Sequence, residues 1–389
     1  MAEWFPPRVG GRAVRLSVAG TTVTVRSPLP AVVEKVARYV APWWDGAPGQ
    51  GTTGPVVTAR LGGIEDLERE LAGGAWREVP YPRAATRYAR LRSGTSVVAV
   101  TPTERVAFRY TPSTGRMEVH GHEPEALVRA GVRAARELAR AQLIRAGWVV
   151  LHASAVVAAD GRAVLVLGGR GAGKSTAALT LASRGARLLG NDRVFARARD
   201  DGAVELAPWP SGAAVGLGLL GALGWTRVVR TRLLGGAEPH PSQDAKVTAA
   251  IGAGCTGRLG ADGRELKAHL RPHEFAEWFD VACASSGRVA AVFFPAVREG
   301  AVPGIDVGRR VAVSESDFMM GDQEDSYPDI FGLMDGQVGG TAHARAAVAA
   351  ALGRLPTHAV VLGHESGGNA AFLTSLLAKP AAAATRAVR

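Results

Sequence analysis

Gly168-Gly169-Arg170-Gly171-Ala172-Gly173-Lys174-Ser175-Thr176 decides how the rest of this chain is read, for it fits G-x-x-x-x-G-K-[ST] at every fixed position. The apolar run Ala163-Val164-Leu165-Val166-Leu167 before it predicts a buried strand, and Ala177-Ala178-Leu179-Thr180-Leu181-Ala182 after it predicts a helix. Glycines let the backbone curl so that successive N–H groups converge on one phosphate, and the helix N-terminus adds partial positive charge. In such a loop Lys174 reaches the β- and γ-phosphates, and the Ser175 hydroxyl ligates Mg²⁺. Gly168, Gly169, Arg170, Gly171, Ala172, Gly173, Lys174, Ser175 and Thr176 are therefore the expected contacts of a nucleoside triphosphate. The alternative, a glycine-rich turn without a ligand, gives no reason for the strand before it and the helix after it.

Composition bounds the classes around this motif. The chain has 389 residues, 47% hydrophobic and 21% charged, enough for a full core and for two or three domains. Its net charge of +11 comes from 46 basic against 35 acidic residues, and only five of the basic residues are lysine. The arginines are dispersed, without a basic block or interleaved aromatics, so no nucleic-acid partner is expected. The excess charge favours anionic ligands in general. Cys255 and Cys283 are the two cysteines, and no C-x-x-C occurs, which excludes a disulfide framework or a cysteine zinc cluster and fits a reducing compartment. The N-terminus lacks the pattern of a signal peptide, and no apolar run approaches a membrane span. The expectation is a soluble cytoplasmic protein with no membrane partner.

Along the chain, residues 13–26 alternate as a hairpin with one buried face. A helix at 31–42 and a Gly/Pro-rich loop from Asp45 to Pro55 follow. Short strands are expected at 55–61, 86–92, 96–101, 105–110 and 116–120. Residues 1–147 thus form an α+β module, ending in a connecting helix over 124–147 that carries Arg129, Arg133, Arg136 and Arg140 on a solvated face. His120 and His122 lack a third ligand and are expected at the surface. A core over 148–300 opens with one strand, Val149 to Val157, and contains a hairpin turning at Asp200-Asp201-Gly202, a helix from Glu274 to Asp280, and a strand from Arg288 stopped by Pro295. A C-terminal α/β extension spans 301–379, with an acidic loop or short-helix region from Ser314 to Asp335, a helix at 341–353, a strand at 357–362 and a helix at 368–378. Residues 380–389 are expected to be a disordered tail.

A triphosphate site that does chemistry needs an acid to hold Mg²⁺ or take a proton. Asp192 ends a short apolar strand directly after the loop's helix, and neighbouring strand ends converge on the ligand crevice in such sheets. The competing reading is an Asp in a turn or at a cap. Lys246 and Arg193 could touch phosphate or acceptor, though ordinary surface cations are the simpler reading.

The order Leu151-His152-Ala153, the glycine loop, Arg184-Gly185 and Asn191-Asp192-Arg193-Val194 resembles the bacterial HPr kinase/phosphorylase family over residues 148–198. The resemblance implies an α/β fold whose core is the P-loop kinase type shared with phosphoenolpyruvate carboxykinase, built on a mixed sheet. It implies an ATP- and Mg²⁺-dependent kinase acting on a hydroxyl-bearing acceptor: a peptide, a protein or a small molecule. Asp192 falls at the family's general base, His152 at its histidine beside the phosphates, and Asn191 replaces the first aspartate of its pair; Ser175 and Asp192 would hold the metal, with Lys174 catalytic. A homo-oligomer is implied as well, the family's enzymes being hexamers. Thr176 departs from the family's Glu after the loop serine, and Ala213-Ala214-Val215-Gly216-Leu217-Gly218 lacks the Glu and Arg of E-V-R-G-L-G. Glu205 is a candidate substitute carboxylate. These departures leave HPr itself, and reversible phosphorolysis, without support.

Gly363-His364-Glu365-Ser366-Gly367-Gly368 does not make a nucleophile elbow, because the 23 residues after Ser366 contain neither Asp nor His to complete a triad. It reads as a glycine-rich helix start. The rival to the kinase is a nucleotide-binding regulatory or scaffold protein that has lost turnover, and a simple ATP hydrolase is a third reading.

Overall fold

The computed structural model describes residues 12–49, 54–81, 84–91, 96–255, 259–260, 263, 265–309, 311–319 and 327–378. The expected tail at 380–389, part of the Asp45–Pro55 loop and the centre of the acidic stretch lie outside them. The chain is mixed α/β and divides into two compact units, Met1–Val150 with Phe318–Arg345, and Leu151–Asp317 with Ala346–Arg389. The expected division at 147 and 300 differs because Phe318–Arg345 returns to the first unit instead of extending the core. Among the described residues no helix is long and apolar enough to cross a membrane.

In the first unit, strands β1 (Ala13–Val18), β2 (Thr21–Arg26), β3 (Asp45–Pro48), β4 (Val56–Leu61), β5 (Arg77–Pro80), β6 (Ala85–Arg90), β7 (Val97–Thr101), β8 (Val106–Thr111) and β9 (Arg116–Gly121) form one sheet. Its order is β3-β1-β2-β4-β9-β8-β7-β6-β5, parallel at β2/β4 and β4/β9 and otherwise antiparallel. The hairpin expected at 13–26 is present, turning at Ala19-Gly20. Helices α1 (Pro30–Val40) and α3 (Pro124–Arg145) pack on one another and on the sheet, and α2 (Ile64–Ala72) seals its other end by placing Ile64, Leu67 and Leu71 against Val98, Val100 and Ala107. The spacing of Ile64, Leu67 and Leu71 is helical, yet nine residues between turn glycines give a weak signal, and α2 was not expected.

The arginine face of α3 is not solvated: Arg133, Arg136 and Arg140 are 6%, 5% and 0% exposed. Arg133 donates to Glu104 at 2.8 Å and stacks 5.4 Å over the Tyr81 ring. Arg136 lies 4.9 Å over Tyr327, and Arg140 pairs with Glu137 and donates to the Tyr327 carbonyl. A guanidinium is weakly hydrated and planar, so rings and one carboxylate suffice to bury it where an ammonium would stay wet. Phe331 completes the cluster with edge contacts to Tyr81 and Phe108 at 5.9 and 5.8 Å. The returning segment is pinned by Val150 N–H donating to Gly339 O at 3.0 Å and Met319 N–H to Val150 O at 2.9 Å. His120 is half-buried, its Nδ1 2.9 Å from Gly62 O, and His122 meets Glu65.

The short strand β10 (Val149–Leu151) straddles the boundary between units. The second unit holds β11 (Ser154–Val157), β12 (Arg162–Val166), α4 (Lys174–Ala182), β13 (Arg187–Gly190), β14 (Val194–Ala198), β15 (Val204–Pro208), β16 (Ala213–Gly216), α5 (Leu217–Ala222), α6 (Thr226–Leu234), α7 (Ala245–Gly252), β17 (Lys267–Leu270), α8 (Pro272–Phe279), β18 (Gly287–Val297), β19 (Gly304–Ile305), most of α9 (Ala342–Leu352), β20 (Thr357–Leu362) and α10 (Ser366–Ala378). Its main sheet is mixed. The run β13-β11-β12 is antiparallel, β12-β18-β20 is parallel, and β15 with β14 joins the start of β18 antiparallel. β16 and β17 make a separate two-stranded sheet. β18 does not stop at Pro295. Val292 and Arg298 donate their N–H groups toward the β20 side, so the position of Pro295 faces the other side, where the pairing with β12 runs out at Val166-Leu167.

Candidate functional site

Strand pairing brings the predicted residues to one edge of the second unit's sheet. Ser154 at the start of β11 pairs with Val166 at the end of β12, and Ala155 pairs with Gly190 at the end of β13. The loop after β12, the residues before β11 and the residues after β13 therefore emerge together. The expected single strand 149–157 breaks at His152-Ala153, and that break puts His152 at this edge, its N–H donating to Asp317 O at 2.7 Å.

Gly168, Gly171 and Gly173 adopt φ of +133°, +80° and +105°, and α4 begins at Lys174 directly behind them. Built Cβ atoms on Gly169 and Gly171 would meet nothing within 4 Å, so the loop has open space beside its backbone. Lys174 Nζ donates back to the carbonyls of Gly168 at 2.6 Å and Gly169 at 3.2 Å. Burial pushes the Lys174 ammonium below the usual lysine range; Asp192 and Asp317 counter this, and Lys267 adds repulsion. Ser175 and Thr176 occupy the first turn of α4.

His152 Nε2 stands 3.9 Å from Asp192 Oδ1. Asp192 has φ +82°, a left-handed conformation that a short polar side chain tolerates and that turns the chain sharply from β13 toward β14. Its carboxylate also binds the guanidinium of Arg193, which is buried and not the surface cation expected. Asn191 is buried, its Oδ1 accepting from Ser154 Oγ at 3.0 Å, and so ties the end of β13 to the start of β11.

Other expected carboxylates and cations fall elsewhere. Glu205 is engaged by Arg197 at 3.0 Å and Arg199 at 3.6 Å on the β14–β15 hairpin. Lys246 is exposed in the first turn of α7. Ser366 starts α10, where Asn369 clamps Gly363 through hydrogen bonds of 2.9 and 2.8 Å. Among the described residues no group of three or more His, Cys, Asp or Glu is arranged to hold a metal ion.

Three residues at or near this edge carried no sequence signal. Asp317 is buried, and its carboxylate accepts from Ser314 N–H at 2.8 Å. Lys267 reaches Lys174 electrostatically from β17. Glu265 lays its carboxylate against Gly216 and accepts from Gly218 N–H at 2.6 Å, so a carboxylate stands beside the Gly216-Leu217-Gly218 stretch that has none of its own. All three are distant in sequence from the loop, and only the folded chain reveals them.

No family model matches the chain, and no curated protein matches it. Among solved structures, the HPr(Ser) kinase/phosphatase from Coxiella burnetii is similar over 43% of this chain and 76% of its own, at 12% identity and a TM-score of 0.22. At that score the likeness carries nothing toward a function, which has to stand on the residues themselves.

Proposed function

We propose that this chain is an ATP-dependent, HPr-kinase-like phosphotransferase that moves the γ-phosphoryl group of ATP to a hydroxyl, a serine of a peptide or protein or the hydroxyl of a small molecule. One observation carries the reading: Lys174 at the head of α4, the His152–Asp192 pair and Asp317 stand at one sheet edge, beside a glycine loop with open space along its backbone. N–H groups of the loop would hold the β- and γ-phosphates, and Lys174 would exchange its two carbonyl partners for phosphate oxygens. Ser175 and Asp192 are the residues that would hold Mg²⁺, which when bound neutralises charge on the phosphates. Asp192 would receive the proton of the attacking hydroxyl, with His152 beside it. The acceptor oxygen bonds to the γ-phosphorus as the bridging P–O bond breaks, and ADP leaves with that electron pair.

A second reading, a nucleotide-binding scaffold or regulatory protein without turnover, draws on the Arg193 guanidinium that engages Asp192. Equilibrium titration with ATP and intact-mass measurement of candidate acceptors separate the two. Lys174→Ala should lose ATP binding; retention of wild-type affinity would sink the assignment of the loop. ATP binding without transfer to any hydroxyl substrate would leave the scaffold reading standing.

A further inference from the structure

Away from the glycine loop, the second unit gathers two imidazoles around one hydroxyl. Ser242 Oγ lies 2.8 Å from His240 Nδ1 and 2.6 Å from His269 Nδ1, and the two rings meet edge to face with centroids 5.8 Å apart. The hydrogen bonds assign the protons. The backbone N–H of Ser242 donates to His240 Nδ1 at 3.2 Å, so that nitrogen bears a lone pair. The Ser242 hydroxyl then donates to His240, and its oxygen accepts from His269 Nδ1–H. A serine in this position has an adjacent base for its proton, the usual way a hydroxyl nucleophile is activated, and His269 fixes the orientation of the hydroxyl between the two rings.

The arrangement is braced from the chain around it. Arg271 donates to the carbonyls of Glu238 at 2.8 Å and Pro239 at 2.9 Å, and the N–H of His269 donates to Gln243 Oε1 at 2.7 Å. The His240 ring is seated on Gly212, where a Cβ would stand 2.8 Å from Nε2. Burial alternates along β17, so Lys267 and His269 share its open face, roughly 7 Å apart along the strand. Lys267 is also the residue whose charge reaches Lys174. β17 thus carries both a charge felt at the loop lysine and a ring that meets the Ser242 hydroxyl.

We propose that Ser242 is itself a phosphoryl acceptor, and that the chain phosphorylates its own Ser242 with His240 as general base and His269 as the donor to the serine oxygen. This rests on the phosphotransferase reading above. Ser242 Oγ attacks the γ-phosphorus of ATP, the hydroxyl proton passes to His240 Nδ1, the Oγ–P bond forms, and the bond from the γ-phosphorus to the bridging oxygen breaks, releasing ADP with the electron pair.

The full-length protein is incubated with ATP and Mg²⁺, digested, and its phosphopeptides are mapped by mass spectrometry. Phosphate is expected on Ser242, absent in Ser242→Ala, and present as phosphothreonine in Ser242→Thr. His240→Gln should slow the labelling by roughly 100-fold or more, the usual worth of a positioned base. ATP affinity, measured separately with a fluorescent ATP analogue, should stay at the wild-type level in all three variants. If ATP binds and phosphate goes to other residues or to none, Ser242 is not the acceptor and the nucleotide site still stands. Wild-type labelling in His240→Gln would overturn the role of His240. Failure of the wild-type protein to bind ATP would instead overturn the phosphotransferase reading on which this assignment rests.

Discussion

Gly173 is where the loop meets the sheet most tightly, and Gly173→Ala tests whether that contact sets the loop's shape. Its φ is +105°, and a Cβ would stand 2.5 Å from Val297 Cγ2 and 3.6 Å from Pro295 Cβ. Left-handed backbone costs an L-residue about 1–2 kcal/mol. The contact with Val297 falls well inside the ~3.5–4.0 Å optimum between carbons, so the strand or the loop must shift. Overpacking of that kind costs about 1–3 kcal/mol. Together these come to about 2–5 kcal/mol, a large share of the ~5–15 kcal/mol that holds a typical domain. Native-state hydrogen exchange on the peptide covering α4 reads the cost locally, and 2 kcal/mol corresponds to roughly 30-fold faster exchange through opening. Adding Val297→Ala removes the clash and leaves the φ strain, so the double variant should recover roughly half of the lost protection. Unchanged exchange in Gly173→Ala would refute the idea that this glycine locks the loop. Full recovery in the double variant would refute the backbone contribution.

Further measurements address other parts of the chain. Asp192→Asn should abolish phosphoryl transfer while ATP affinity stays within about tenfold, and normal transfer would remove Asp192 as base. Arg140→Ala leaves Glu137 buried without its partner and should destabilise the first unit by about 3–5 kcal/mol in denaturant unfolding; a loss under about 1 kcal/mol would show that the pair is not buried as described. Burial pushes the Cys283 thiol up to about 12, so at pH 8 only about one molecule in ten thousand carries the reactive thiolate. Iodoacetamide should therefore modify the half-buried Cys283 far more slowly in the folded protein than in the unfolded chain, and equal rates would contradict the raised thiol.

What the sequence disclosed follows from how local each signal is. The strand, glycine loop and helix over 163–182 could be read because motif and periodicity sit in one contiguous window. The 13–26 hairpin and the strand at 357–362 were legible for the same reason. His152 and Asp192 could be named but not joined: their meeting depends on the pairing of β11 with both β12 and β13, which no local pattern encodes. Asp317, Lys267 and Glu265 gave no signal, since each arrives from a remote part of the chain. The α3 arginines were misread because a charged stripe at helical spacing looks alike whether it faces water or a cluster of tyrosines and phenylalanines. Pro295 was misread because a proline's effect on a strand depends on which side its missing N–H faces, a property of the neighbours and not of the residue.

The return of Phe318–Arg345 to the first unit means that the chain crosses between its two units three times. A nascent chain therefore cannot finish the first unit when residue 150 emerges from the ribosome. Phe331, which closes the ring cluster around the buried arginines, and Gly339, which receives Val150, are made only after Leu151–Asp317 of the second unit. The second unit in turn waits for β20, the parallel partner of β18. Synthesis thus leaves both halves unfinished until β20 has been made. In the mature protein a single protease cut in any one crossing leaves two covalent tethers between them.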